Sequence, residues 1–125
     1  TLDVLARLVV AGVLSAVIGL ERESHRKPAG MRTNALVGMG TALAVIASAG
    51  TATNIMAGIG FVGGGVILHS GGSVRGLTTA AGIWVVAAIG IAAGTGMFDL
   101  AVIGAILSLL ALVVLPKLPG DDEKK

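Results

Sequence analysis

The side chains that could carry chemistry in this chain are few, and they stand at the ends of apolar stretches. Only 13% of the 125 residues are Asp, Glu, Lys or Arg. Guanidinium groups at such positions can bind an anion, and a carboxylate there can bind a cation or pair with an arginine. The candidate polar residues are Glu21, Arg32, Asn34, Arg75 and Thr78.

Each of these residues has a structural interpretation beside the functional one. Arg32 and Arg75 precede predicted helices, where the helix dipole favours an anion, but either residue can equally be an anchor at the membrane surface. Glu21 ends one apolar stretch just before Arg32, so an ion pair between them is favoured over a cation site. Asn34 and Thr78 are expected to cap helices or to donate hydrogen bonds between helices, the alternative being positions that line a cavity.

The sequence lacks the signatures of the common catalytic classes. It contains no cysteine, no zinc-binding pattern, no phosphate-binding loop after a strand and no nucleophile beside a base. Asp3 and Asp99 are predicted near one membrane surface and Glu21 near the other, so no carboxylate stands midway to serve a cation pore. We therefore expect no enzyme, no cofactor, no bound metal and no nucleic-acid partner.

Composition identifies a membrane protein. A hydrophobic content of 54% and a mean hydropathy of +0.94 leave too little polar surface for a soluble globule. We expect an all-α membrane protein, a five-helix transmembrane bundle occupying residues 1–116, followed by a cytoplasmic tail over 117–125. Each apolar stretch is close to the ~20 residues that cross hydrocarbon. The predicted spans are 2–20, 33–53, 55–68, 77–95 and 100–115.

The basic residues of a five-span chain gather on one side of the membrane, and only Arg7 lies near the other. Positive charge in short loops marks the cytoplasmic side. We therefore expect the N-terminus outside and the C-terminus in the cytoplasm of a bacterial inner membrane. The residues on the cytoplasmic side are Arg22, Arg26, Lys27, Arg32, Arg75, Lys117, Lys124 and Lys125.

Glycine is concentrated in the third span. At about 100° per residue, Gly60 and Gly64 share one helix edge, and Gly58 and Gly65 share an adjacent one. Such edges let helix backbones approach closely, so we expect these four glycines to pack against neighbouring helices. Five short helices need fewer such edges than the chain provides, which predicts a homodimer in the lipid bilayer.

Two parts of the chain resemble each other. Residues 11–51 and 57–95 each run from an apolar span through a basic connector to a small-residue-rich span, and Arg32 and Arg75 occupy matching places. Copies separated by a short turn would cross the membrane in the same direction. The pattern suggests two parallel hairpin repeats followed by a fifth helix, although apolar sequence of low complexity can produce such similarity by accident.

Four blocks, in order and with matching spacing, give the chain a resemblance to the MgtC/SapB family of bacterial inner-membrane proteins. The match extends to about Gly96, and several long blocks in register are far more specific than one motif. The blocks are IGLERE (18–23), AGMRTNALVGMG (29–40), GIGFVGGGVI (58–67) and VRGLTTAAGIWVVAAIG (74–90).

The resemblance implies a five-helix membrane domain with a role under magnesium limitation and, in pathogens, in virulence inside macrophages. It also implies a regulatory protein that acts on a membrane-protein partner such as the proton-translocating ATP synthase. The rival interpretation is a transporter or channel for magnesium or an anion that uses Glu21, Arg32 and Arg75. Many family members continue into a soluble C-terminal domain, and some carry a cysteine in the fourth span where this chain has none.

Overall fold

The structure, a computed structural model, describes residues 1–48, 53–67 and 76–115, and these residues form five helices without strands. The chain is an all-α membrane bundle, as the sequence predicts. Arg75 and the predicted tail over 117–125 lie outside the described residues. The helices are α1 Leu2–Ser24, α2 Met31–Ala47, α3 Thr53–Ile67, α4 Leu77–Gly94 and α5 Phe98–Val114.

Helix bounds differ from the predicted spans most at the end of the second helix and at the end of the first. α2 runs from Met31 to Ala47 against the predicted 33–53, and Thr53 already belongs to α3. α1 continues past the predicted end at residue 20 to Ser24, because the polar run that follows is made of residues that tolerate a helix and its first strong breaker is Pro28. α1 and α4 are long and apolar enough to cross a membrane, with mean hydropathies of 2.0 and 1.8, and the other three are shorter apolar helices.

α4 is the central helix and packs against all four others. The core around it consists largely of alanine, with a few branched residues from α1 and α4. Small side chains let membrane helices approach until their backbones are in van der Waals contact. The buried hydrophobic residues of the core cluster are Ala11, Ile18, Ala42, Val86, Ile89, Ala92, Ala93, Ala101 and Ala105.

Glycines at the contacts of α2 with α1 and α4 leave no room for a side chain. A methyl group at Gly38 would collide with the Ser15 side chain, and one at Gly90 would collide with the Thr41 hydroxyl and the Gly38 carbonyl. The Thr41 hydroxyl lies within 3.0 Å of the Ala87 carbonyl and 3.1 Å of the Gly38 carbonyl, so it links α2 to α4. Through these contacts α1, α2 and α4 form a close-packed three-helix unit, the closed centre of the bundle.

The glycines predicted to pack in the third span do not do so within the described part of the chain. A methyl group at Gly58, Gly60, Gly64 or Gly65 would meet nothing within 4 Å. α3 packs mainly against α4, and its contact residue there is Gly63, where an added methyl would lie 3.5 Å from Ala80. α3 is turned to place Gly63 towards the start of α4, and close packing of the four predicted glycines against another helix stays a prediction.

Arg7 ties the start of α1 to the end of α4. Its Nη1 donates a hydrogen bond to the Gly94 carbonyl at 2.7 Å, and its Nη2 lies 3.1 Å from Asp3 Oδ2. A cation at a helix C-terminus satisfies carbonyls that have no partner in the helix and opposes the negative end of the dipole. This contact therefore holds α1 beside α4 at the end of the bundle opposite Arg22.

The helix pairing agrees with two hairpins, although the internal repeat itself stays a prediction. α1 packs extensively on α2, and α3 packs on α4. The two pairs differ in position, since α1 and α2 both contact α4, whereas α3 contacts α4 almost alone. α5 completes the bundle on α1 and α4.

Candidate functional site

The basic end of the bundle, where α1 ends and α2 and α4 begin, contains a buried arginine. Arg22 is 6% exposed and Thr79, in the first turn of α4, is 3% exposed. Arg22 Nη2 donates a hydrogen bond of 2.8 Å to Thr79 Oγ1. Burying a guanidinium this deeply costs free energy unless its N–H groups have hydrogen-bond acceptors and its charge has an opposite charge nearby.

Among the described residues, Arg22 lacks some of the hydrogen-bond acceptors and the close carboxylate that its guanidinium needs. Its Nε is buried without a hydrogen-bond partner. The nearest carboxylate oxygen is Glu21 Oε1, which lies 4.0 Å from Arg22 Nη1, too far for a hydrogen bond. Glu21 Oε1 is itself buried and unpartnered, while Oε2 lies 3.2 Å from His25 Nδ1. The site therefore holds one cation and one carboxylate that touch only loosely.

Glu21 does not form the predicted ion pair with Arg32. Its carboxylate lies near Arg22 and near the His25 imidazole just after α1, and Arg32 is exposed in an open cleft that also borders Glu23. Glu23 Oε1 accepts the Met31 backbone N–H at 3.0 Å, so this carboxylate occupies the N-terminus of α2. Because α1 continues to Ser24, the Glu21 carboxylate lies beside Arg22 and His25, and the carboxylate that contacts α2 is that of Glu23.

Asn34 is buried but does not cap α2. The N-cap residue is Gly30, and Asn34 lies in the first turn, 2% exposed. Its Nδ2 donates hydrogen bonds to the Ala29 carbonyl at 2.7 Å and the Gly30 carbonyl at 3.0 Å. Ala29 has a φ of 61°, which is unfavourable for a residue with a Cβ. Asn34 thus holds the turn between α1 and α2 in this conformation.

The α4 residue that joins the site is Thr79 rather than the predicted Thr78. Thr78 is only partly buried, whereas Thr79 is the hydroxyl that meets Arg22. Sequence reasoning counted Arg22 only as a surface charge. A signal was available, because Arg22 follows Ser15 and Ile18 at helical spacing on the buried face of α1.

Metal ligands are sparse at the basic end. Within residues 1–48, 53–67 and 76–115, no three His, Asp, Glu or Cys side chains cluster closely enough to hold a metal ion. Glu21 and Glu23 come from the same helix, and Glu23 is already bonded to Met31. Chemically, the described site is a buried cation at a helix start, with carboxylates beside it.

The sequence of this five-helix chain matches the model of one protein family along most of its length. The model of the MgtC family covers residues 8–120. The chain belongs to the MgtC family. The resemblance carried by the four sequence blocks is thereby confirmed.

Relatives of this MgtC-family chain come from several bacteria. It is 38% identical to Putative magnesium transporter YhiD of Escherichia coli K12 over 94% of the chain and 63% of that protein. It is 43% identical to Protein MgtC of Salmonella typhimurium LT2 over 86% of the chain and 50% of that protein. An uncharacterized Synechocystis protein is 45% identical over 89% of the chain and 51% of its own length.

The chain spans about half to three-fifths of the length of these relatives. No solved structure matches it. The chain is thus an MgtC-family membrane bundle. Its two distinctive features are the closed α1–α2–α4 centre and the basic end with the buried Arg22.

Proposed function

We propose that this MgtC-family chain is a regulatory membrane domain that binds another membrane protein and controls it, rather than an enzyme or a transporter. One relative is named Putative magnesium transporter YhiD, and this name together with the family resemblance favours a role in adaptation to magnesium limitation. A proton-translocating ATP synthase is one partner that the family resemblance suggests. The membrane is the bacterial inner membrane.

The closed centre is the observation that carries this proposal. α1, α2 and α4 meet through Gly38, Gly90 and Gly94, where added methyl groups would strike neighbouring helices. Close-packed interiors have few voids larger than a water molecule. Ion passage between these three helices would require them to separate, whereas binding to a partner uses their outer surfaces and ends.

The basic end is the surface we assign to the cytoplasm, with the N-terminus outside. The exposed cations Arg26 and Arg32 lie there beside the half-buried Lys27, and Arg7 is at the opposite end. Because the chain has no cysteine, single cysteines in place of Thr1 and Arg26 can be labelled with an impermeant reagent in intact cells. Labelling of Thr1→Cys alone supports this orientation, and labelling of Arg26→Cys alone contradicts it.

A homodimer formed through the outer edge of α3 belongs to the same proposal. Gly58, Gly60, Gly64 and Gly65 leave that edge open, and the neighbouring Phe61 is 86% exposed. Glycine edges on membrane helices favour close helix pairs because the backbones can touch. Two copies joined along α3 would cover this edge while leaving both basic ends accessible to a partner.

Transport of magnesium or an anion is the second candidate, favoured by the name of the relative YhiD, Putative magnesium transporter. Glu21 and Arg32 would then act along an ion path at the basic end, and Arg75, outside the described residues, is the third candidate for this role. Glu21 Oε1 is buried without a hydrogen-bond partner, which is a position from which a carboxylate could take a cation. This role requires a polar path across the bundle, formed by an open state or between subunits.

Affinity capture from native membranes tests the regulatory role. Tagged wild-type chain is compared with Glu21→Gln and Arg32→Gln, and with Ser108→Ala on α5 as a control away from the basic end. We expect one membrane protein to co-purify with the tagged chain. Wild type and the Ser108→Ala control should capture the same molar amount of it, and the Glu21→Gln and Arg32→Gln variants should capture less. Capture that is absent, or identical for all four chains, would contradict regulation through the basic end.

A further inference from the structure

The first turn of α4 presents an electrostatic mismatch. Its N-cap residue, Gly76, has a φ of 77° and provides no side-chain cap. A helix N-terminus carries N–H groups without intrahelical partners and a partial positive charge, which usually attract an acidic group. At α2 that group is Glu23, bonded to the Met31 N–H. At α4 the buried group that arrives is a cation, Arg22.

Arg22 adds its own charge to that positive helix end. The guanidinium is aimed at the first turn of α4 by its 2.8 Å hydrogen bond to Thr79, and its side chain is 7% exposed. The buried Nε has no partner in the described chain. An anion in contact with both the guanidinium and the helix start would satisfy Nε and balance the two positive charges.

Glu21 does not supply this balance. Its Oε1 lies 4.0 Å from Arg22 Nη1, and its Oε2 lies 3.2 Å from His25 Nδ1. Other charges at the basic end are mostly positive, including exposed Arg32. The local field at the start of α4 therefore favours an additional anion.

We propose that Arg22 and the first turn of α4 form a binding site for one phosphate group. Guanidinium groups bind phosphate through paired N–H groups, and helix N-termini bind phosphate through backbone N–H groups. The phosphate belongs either to the headgroup of an anionic phospholipid, which reaches basic pockets between helices at the cytoplasmic surface, or to inorganic phosphate. Thr79 positions the guanidinium for either source.

The test is ligand-dependent thermal stability of the purified full chain in detergent, followed by circular dichroism. One arm adds phosphatidylglycerol, with phosphatidylcholine as the zwitterionic control. The other adds sodium phosphate, with sodium chloride at equal ionic strength. Stabilisation by phosphatidylglycerol alone identifies the lipid headgroup as the source, and stabilisation by sodium phosphate identifies the free ion.

Matched arginine variants make the test specific. We expect Arg22→Gln to raise the half-saturating ligand concentration about tenfold or more, the size of a lost charge-assisted hydrogen bond. Arg26→Gln removes the same charge from an exposed position and should keep the wild-type response. If Arg22→Gln does not fold, Arg22→Lys and Thr79→Val serve instead, and both should weaken the response.

Three results would overturn the phosphate site. In the first, neither ligand stabilises the wild-type chain more than its control does. In the second, the Arg22 and Thr79 variants respond like wild type. In the third, Arg26→Gln loses the response as fully as they do. The last result would mean that surface charge alone attracts the ligand. The site stands apart from the regulatory proposal, since the chain could bind phosphate without capturing a partner.

Discussion

Arg22 donates a hydrogen bond to Thr79 across 57 positions of sequence, from the last turns of α1 to the first turn of α4. Both residues are more than nine-tenths buried. The bond joins the helix that precedes the charged turn to the central helix of the bundle. At the opposite end Arg7 joins the same two helices through the Gly94 carbonyl. α1 and α4 are therefore fastened by an arginine at each end.

Removing the acceptor of the Arg22 bond should destabilise the bundle. We expect Thr79→Val to lower the free energy of unfolding by about 1–3 kcal/mol, since a buried charged donor loses its partner while the side-chain volume changes little. Thr33→Val, at an exposed threonine of α2, is the control and should change it by less than about 0.5 kcal/mol. Unfolding by dodecyl sulfate in mixed micelles measures both. Equal effects would show that the Arg22–Thr79 bond carries no stability.

Two glycines with opposite surroundings should respond differently to the same substitution. At Gly94 a methyl group would lie 2.8 Å from the Ala42 carbonyl oxygen, so Gly94→Ala should cost about 1–3 kcal/mol through overpacking. At Gly82, within α4, it would meet nothing within 4 Å, so Gly82→Ala should gain up to about 1 kcal/mol from helix propensity. The mixed-micelle titration measures both changes. A neutral Gly94→Ala would contradict the close contact between α2 and α4.

Arg7 should contribute more to the free energy of unfolding than its acidic neighbour Asp3. Arg7→Gln removes the 2.7 Å bond to Gly94 and should cost about 1–3 kcal/mol of unfolding free energy. Asp3→Asn weakens only an ion pair whose carboxylate side chain is 68% exposed, and should cost about 0.5 kcal/mol or less. Thermal unfolding in detergent would rank the two variants, and the reverse order would refute the helix-end role of Arg7.

The α3 homodimer can be tested in the natural cysteine-free background. Phe61→Cys places one thiol beside the open glycine edge, and we expect mild oxidation in membranes to yield a disulfide-linked dimer. Gly60→Leu with Gly64→Leu should reduce that product severalfold, because larger side chains hold the helices apart. Ala111→Leu on the exposed side of α5 is the control. Crosslinking unchanged by the leucines would place any dimer contact elsewhere.

Hydropathy and the family blocks were enough to predict the five helices, because long apolar runs separated by charged turns leave few alternatives in a membrane. Helix rotation was harder. α3 has glycine around most of its surface, so composition could not tell that Gly63 faces α4 while Gly58 and Gly64 face outward. Van der Waals contacts with specific neighbouring helices decide such a rotation, and the spacing of residue types along one helix does not predict those contacts.

The polar residues show the same limit. Arg22 was read as one of several surface cations, yet the structure buries it, while Arg32 is exposed. The extra turn of α1 explains the difference, since it carries Arg22 onto the buried face of the helix. Glu21 therefore meets His25 rather than Arg32. The predicted end of α1 was one helical turn too early, and the predicted Glu21–Arg32 ion pair does not form.

The closed α1–α2–α4 centre, and with it the regulatory role, is tested most directly by ion flux. Purified wild-type chain is reconstituted into vesicles that contain a magnesium-sensitive dye, and influx is compared with protein-free vesicles under a magnesium gradient and an applied membrane potential. The proposed role predicts equal influx in both. Protein-dependent magnesium influx that saturates with concentration and falls in Glu21→Gln would contradict it and establish transport.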